Sequence, residues 1–147
     1  METLRPRRHI LFVDSNKSIV QSVKKLAELA AYSFHSEGNG FDALCSIART
    51  MPDIIFMDMH APQLDGFQTC VLLKSRDAYR HIPFILLSAE ENLFNSVRAE
   101  VLGADRVLQK PFSSQEFLAV IAASLDEEPP AKDSCQHEQS EKDIAAA

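Results

Sequence analysis

Five short apolar runs, each followed by a stretch of helical period, constrain this 147-residue chain more than any other feature. The runs are His9–Val13, a weaker one near 32–36, 53–57, 82–87 and a short one at 106–109. A brief apolar run bounded by turn-forming residues reads as a buried strand. The segments between them repeat at three and four residues. The first has Ile19, Val23, Leu26, Ala27 and Ala30 facing inward, and Asp14 or Ser15 is expected to cap it. The second runs from about 41 to 49 with Leu44, Ile47 and Ala48 inward, and Met51-Pro52 stops it. The third carries Phe67, Cys70 and Val71; the fourth carries Leu93, Val97, Val101 and Leu102, with Gly103 at its end. The last follows Ser113 and buries Phe117, Leu118, Ile121 and Leu125. Strands alternating with helices in this way predict a single α/β domain over 9–125, a doubly wound parallel five-stranded sheet covered on both faces.

Charge divides the chain unevenly. The formal net charge is -6, and the seven acids and two lysines from Asp126 onward account for -5 of it, leaving -1 for 1–125. Residues 126–147, which include Pro129-Pro130, show no core pattern and read as a disordered acidic tail or linker stub. Residues 1–8 are a basic extension. A nearly neutral folded region gives no electrostatic footprint for nucleic acid. No run reaches the roughly 20 apolar residues that span a bilayer, and no signal peptide is evident, so a cytoplasmic protein without a membrane partner is expected. Cys45, Cys70 and Cys135 are too sparse for a disulfide framework; Cys45 and Cys70 read as small core residues.

The polar residues that matter stand at the ends of the predicted strands. Asp14 follows the first, Asp58 the third, Ser88 the fourth and Lys110 the fifth. In open parallel sheets, sites gather beyond the carboxyl ends of the strands. Two carboxylates, a hydroxyl and an ammonium converging there suit a divalent cation with a phosphoryl group. Hard oxygens take magnesium, lysine and serine bind phosphoryl oxygens, and a carboxylate can act as the nucleophile.

With these residues in view, the chain resembles the receiver domain of bacterial two-component response regulators over about 8–125. The resemblance is carried by Ile10-Leu11-Phe12-Val13-Asp14, by the run from Asp53 through Asp58 to Asp65-Gly66, by His81 through Ser88-Ala89, and by Gly103-Ala104-Asp105 through Lys110-Pro111-Phe112. It implies a flavodoxin-like fold and a switch rather than an enzyme. Asp58 would take a phosphoryl group from the phosphohistidine of a sensor histidine kinase or phosphotransfer protein. Asp14 and Asp58 would hold Mg2+ with the backbone carbonyl of His60, while Ser88 and Lys110 would meet the phosphoryl oxygens. Pro111 would follow a cis bond. The output would be contact with a protein target, through the fourth helix, fifth strand and fifth helix, or onward relay; a homodimer is left open.

Two positions depart from the pattern. Ser15 stands where the family usually has a second acid, so a water held by Ser15 would replace a direct ligand and the cation should bind more weakly. Val107 stands where the family commonly has an aromatic residue that rotates inward. The alternative reading is a degenerate receiver that serves as a phosphorylation-independent interaction module. A haloacid-dehalogenase-type phosphatase would need an aspartate two residues after Asp58, where His60 stands. No Gly-rich phosphate loop or dinucleotide fingerprint appears, and nothing specific supports a flavin.

Overall fold

A computed structural model describes residues 7–89 and 93–125. The expected alternation is present throughout: β1 (His9–Val13), α1 (Lys17–Leu29), β2 (Ser33–Glu37), α2 (Gly40–Arg49), β3 (Ile54–Asp58), α3 (Gly66–Lys74), β4 (Phe84–Ser88), α4 (Leu93–Val101), β5 (Arg106–Gln109) and α5 (Ser114–Leu125). The strands pair in parallel in the order β2-β1-β3-β4-β5. Residues 1–6 of the basic extension and the whole acidic tail, 126–147, lie outside the described residues; Arg8 of the extension pairs with Asp53.

The three central strands are apolar at nearly every position because both their faces are covered. Their alternation sorts side chains into two cores. Ile10, Phe12, Ile54, Phe56, Ile85 and Leu87 join Val23, Phe117 and Ile121 on one side. Leu11, Val13, Ile55, Met57, Phe84 and Leu86 join Ala43, Phe67, Cys70 and Leu73 on the other. On the first side the ring centroids of Phe56 and Phe117 are 4.8 Å apart, and Phe12 lies 6.0 Å from Phe56. Ring pairs at such spacing add about 0.5–1.5 kcal/mol beyond their buried area. The edge strands β2 and β5 are only partly buried, which is why their sequence signals are weak.

Several local expectations are corrected. Asn16, not Asp14 or Ser15, caps α1, its side chain accepting the N–H groups of Ser18 and Ile19. That leaves the Asp14 carboxylate for the site. Ala48 on α2 is exposed, whereas Ala43 and Ser46 are buried. Val71 on α3 and Val97 and Val101 on α4 face solvent; Leu73 and Ala99 take the core positions. The Leu93 side chain lies outside the described residues. Cys70 is buried, its thiol pushed up to about 11 mainly by that burial, but Cys45 is exposed. Ser113 does cap α5, receiving the Glu116 N–H at 3.0 Å while the Glu116 carboxylate accepts its own N–H.

Candidate functional site

Strand register brings the four polar residues to one end of the sheet. Val13 pairs with Met57, so Asp14 and Asp58 are neighbours just beyond the end of that pairing. Asp58 pairs with Leu87 and Ser88 with Gln109, and the Lys110 N–H donates to the Ser88 carbonyl at 2.7 Å. β3 and β4 thus extend one residue past their apolar runs, and that residue is the polar one. The Lys110–Pro111 peptide is cis, as the resemblance implies.

The Lys110 ammonium bridges the two carboxylates, with Nζ 2.6 Å from Asp14 Oδ2 and 3.3 Å from Asp58 Oδ2. The second oxygen of each carboxylate is held by backbone: Asp14 Oδ1 accepts the Asn16 N–H at 2.9 Å, and Asp58 Oδ1 accepts the His60 N–H at 3.0 Å. Both side chains are therefore locked in rotation. The Asp14 side chain is 1 % exposed, against 18 % for Asp58 and 14 % for Lys110. Asp58 is thus the carboxylate that a reagent can reach, with Asp14 buried behind it. Two carboxylates against one ammonium leave a local charge of -1, which favours a cation at the mouth of the pocket. Ser88 is buried beside them; Ser15 is exposed, outside the hydrogen-bonded trio. The His60 side chain is also exposed, and what it gives Asp58 is its backbone N–H.

Comparison with known proteins decides what this arrangement is. The response regulator receiver domain family matches residues 10–122. The chain belongs to that family. This receiver is 38% identical over 116 residues to protein PilG of Pseudomonas aeruginosa, covering 79% of the chain and 86% of PilG. It is 34% identical over 116 residues to the response regulator MprA of Mycobacterium leprae, with 79% of the chain covered, and spans only 50% of that protein. Among solved structures, the Vibrio cholerae chemotaxis response regulator CheY4 superposes with a TM-score of 0.77 at 25% identity, covering 82% of this receiver and all of that chain. A receiver domain of the Pseudomonas aeruginosa sensor kinase PA1611, solved with magnesium in its active-site cleft, gives 0.76 at 23% identity, over 83% and 100% of the two chains. Receivers are signalling modules of two-component phosphorelays, working through an aspartyl phosphate and magnesium, and they meet histidine kinases or phosphotransfer proteins. Among the described residues of this receiver, no helix is long and apolar enough to cross a membrane.

Gly66, which the sequence offers only as part of the run that carries the resemblance, lies close against the site. A Cβ there would come within 2.7 Å of the Asp58 carbonyl oxygen and 2.6 Å of Leu86 Cδ2. The Gly66 N–H also donates to the Met59 carbonyl at 3.1 Å. The missing side chain lets the first turn of α3 press against the backbone that carries Asp58. Asp65 secures that turn with a capping box to Gln68. Gly40, at the start of α2, has the same role, since any Cβ there would strike the Leu64 carbonyl. The Asp65-Gly66 and Asn39-Gly40 pairs are visible in sequence, but only the fold shows what each glycine approaches.

Proposed function

We propose that this receiver is a phosphorylation-dependent switch in which Asp58 accepts a phosphoryl group from a histidine kinase or phosphotransfer protein. The observation that carries this reading is the hydrogen-bonded trio of Asp14, Asp58 and Lys110 at the strand ends. In the transfer, an Asp58 carboxylate oxygen attacks phosphorus as the phosphorus–nitrogen bond to the donor histidine breaks. Lys110, already 3.3 Å from that carboxylate, is placed to stabilise charge on the phosphoryl oxygens. The Ser88 hydroxyl, one residue past the Asp58–Leu87 pair, is the second donor. The fixed rotamer of Asp58 lowers the orientational cost of attack.

The donor set suits magnesium of low affinity. Asp14 and Asp58 supply two hard carboxylates, while among the described residues no group of three or more His, Cys, Asp or Glu side chains could hold a metal. Magnesium tolerates such a site because it retains several waters. Asp14, Asp58 and the His60 carbonyl would hold it, with Ser15 acting through a water; it would neutralise charge on the transferring group. The magnesium in the PA1611 receiver supports this assignment.

One observation favours the second reading, a degenerate receiver binding partners without phosphorylation: exposed Ser15 leaves two carboxylates, each already sharing an oxygen with Lys110. Titration with magnesium and beryllofluoride separates the two. The switch predicts saturable shifts of the Asp58, Ser88 and Lys110 amide resonances that require both reagents. A spectrum unchanged at millimolar magnesium would establish the degenerate reading.

A further inference from the structure

A second feature lies away from the strand ends. Between α3 and α4, Leu64, Phe67, Val71, Leu72, Arg98 and Leu102 line a cleft of about 450 Å³. Its rim is apolar and open to water: Val71 is 44% exposed and Leu72 47%. From α4 and the residue that follows it the lining residues are Arg98 and Leu102, one turn apart. Solvent-facing aliphatic residues scattered singly are ordinary, but adjacent ones around a groove mark contact sites.

The groove also carries one charge. The Arg98 guanidinium lies 4.1 Å from the centroid of the Phe67 ring. A cation–ring contact of this kind consumes none of the guanidinium's hydrogen-bond donors. Among the described residues no carboxylate pairs with it. The remaining polar group of the lining is Gln68, so the groove presents an apolar floor and a single unopposed cation. The complementary occupant has an apolar ridge and one carboxylate placed to take the fork in bidentate fashion. Leu64 to Leu72 on one wall and Arg98 to Leu102 on the other give the groove a length of one to two helical turns. That matches a ridge of residues at i, i+3/i+4 and i+7.

We propose that the α3–α4 groove docks an amphipathic helix of a partner protein, held by its apolar ridge and by a carboxylate on Arg98. The groove's lining includes none of Asp14, Asp58 and Lys110, and no residue of β5 or α5.

The test uses the full chain and two dye-labelled helical peptides of sixteen residues. Each carries leucines at i, i+3, i+4 and i+7; one has a glutamate beside the ridge and the other a lysine at that position. Fluorescence anisotropy should give saturable binding of the glutamate peptide, about tenfold tighter than the lysine peptide. Arg98→Gln should remove that difference, and Leu72→Ser should weaken both peptides. Both replaced side chains are exposed, and thermal melts confirm that each variant folds. Amide shifts induced by the glutamate peptide should map to α3 and α4. Absence of saturable binding, a peptide preference that survives Arg98→Gln, or shifts confined to β5 and α5 would overturn the proposal. So would a gain of tenfold or more on deleting 126–147, which would make the acidic tail the occupant. Self-association that the glutamate peptide reverses would assign the groove to a second copy instead.

Discussion

The two ends of the sheet each carry a lysine paired with carboxylate, and they are built to opposite purposes. At the amino ends of the strands, Lys74 Nζ donates to the carbonyls of Arg80 and Ile82, each at 3.0 Å, and to Asp105 Oδ2 at 2.9 Å. Asp105 Oδ2 also accepts the Phe84 N–H at 2.7 Å. One charge meets one charge, all three ammonium protons have an acceptor, and the cluster staples the end of α3 to the loops before β4 and β5. At the carboxyl ends, Lys110 faces two carboxylates and the balance is left at -1. A saturated pair holds elements together, whereas an unbalanced one keeps an interaction open for a ligand.

Exchanging the lysines should separate these roles most sharply. Lys110→Met is expected to slow phosphoryl uptake by about 10²–10³, the worth of one donor aimed at developing charge. Lys74→Met should leave uptake unchanged and cost about 1 kcal/mol in denaturant unfolding, since it strips hydrogen bonds from the Arg80 and Ile82 carbonyls, only the second of them part-buried. A Lys74→Met protein that folds normally but takes up no phosphoryl group would erase the distinction.

A smaller effect is expected from restoring charge at the open end. Ser15→Asp adds a third carboxylate beside Asp14, and magnesium should bind about tenfold more tightly, because affinity for hard cations follows ligand charge. Isothermal titration of the two proteins measures this. Unchanged affinity would mean that Ser15 lies outside the cation's reach.

The smallest effect belongs to the closed end. His9 has its pKa lowered from 6.5, chiefly by burial and then by His35, with Asp53 opposing. Above pH 6.5 the ring is neutral folded or unfolded, so it contributes nothing to pH dependence there. As pH falls below 6.5, the unfolded chain takes the proton first, and stability should decline until the folded ring protonates as well. His9→Gln should flatten that region of the stability profile, and an unaltered slope would refute the assignment.

The same asymmetry explains what could be read from sequence. β1, β3 and β4 were legible because burial on both faces demands continuous apolar residues, and the site was legible because Asp14, Asp58, Ser88 and Lys110 punctuate those runs. Helix faces were harder. Val71, Val97 and Val101 sit at core-like spacing, yet they face solvent, where an apolar surface mimics the pattern of a buried one. Close approach leaves no periodic trace, so neither Gly66 against Asp58 nor the bridge from Lys110 to both carboxylates was accessible from spacing.

The most direct test of the central claim is intact-mass measurement after incubation with magnesium and acetyl phosphate. The wild-type chain and Asp105→Asn should each gain one phosphoryl group, and Asp58→Asn should gain none. A wild-type mass that does not change, or a gain that persists in Asp58→Asn, would contradict the assignment of Asp58 as the phosphoacceptor.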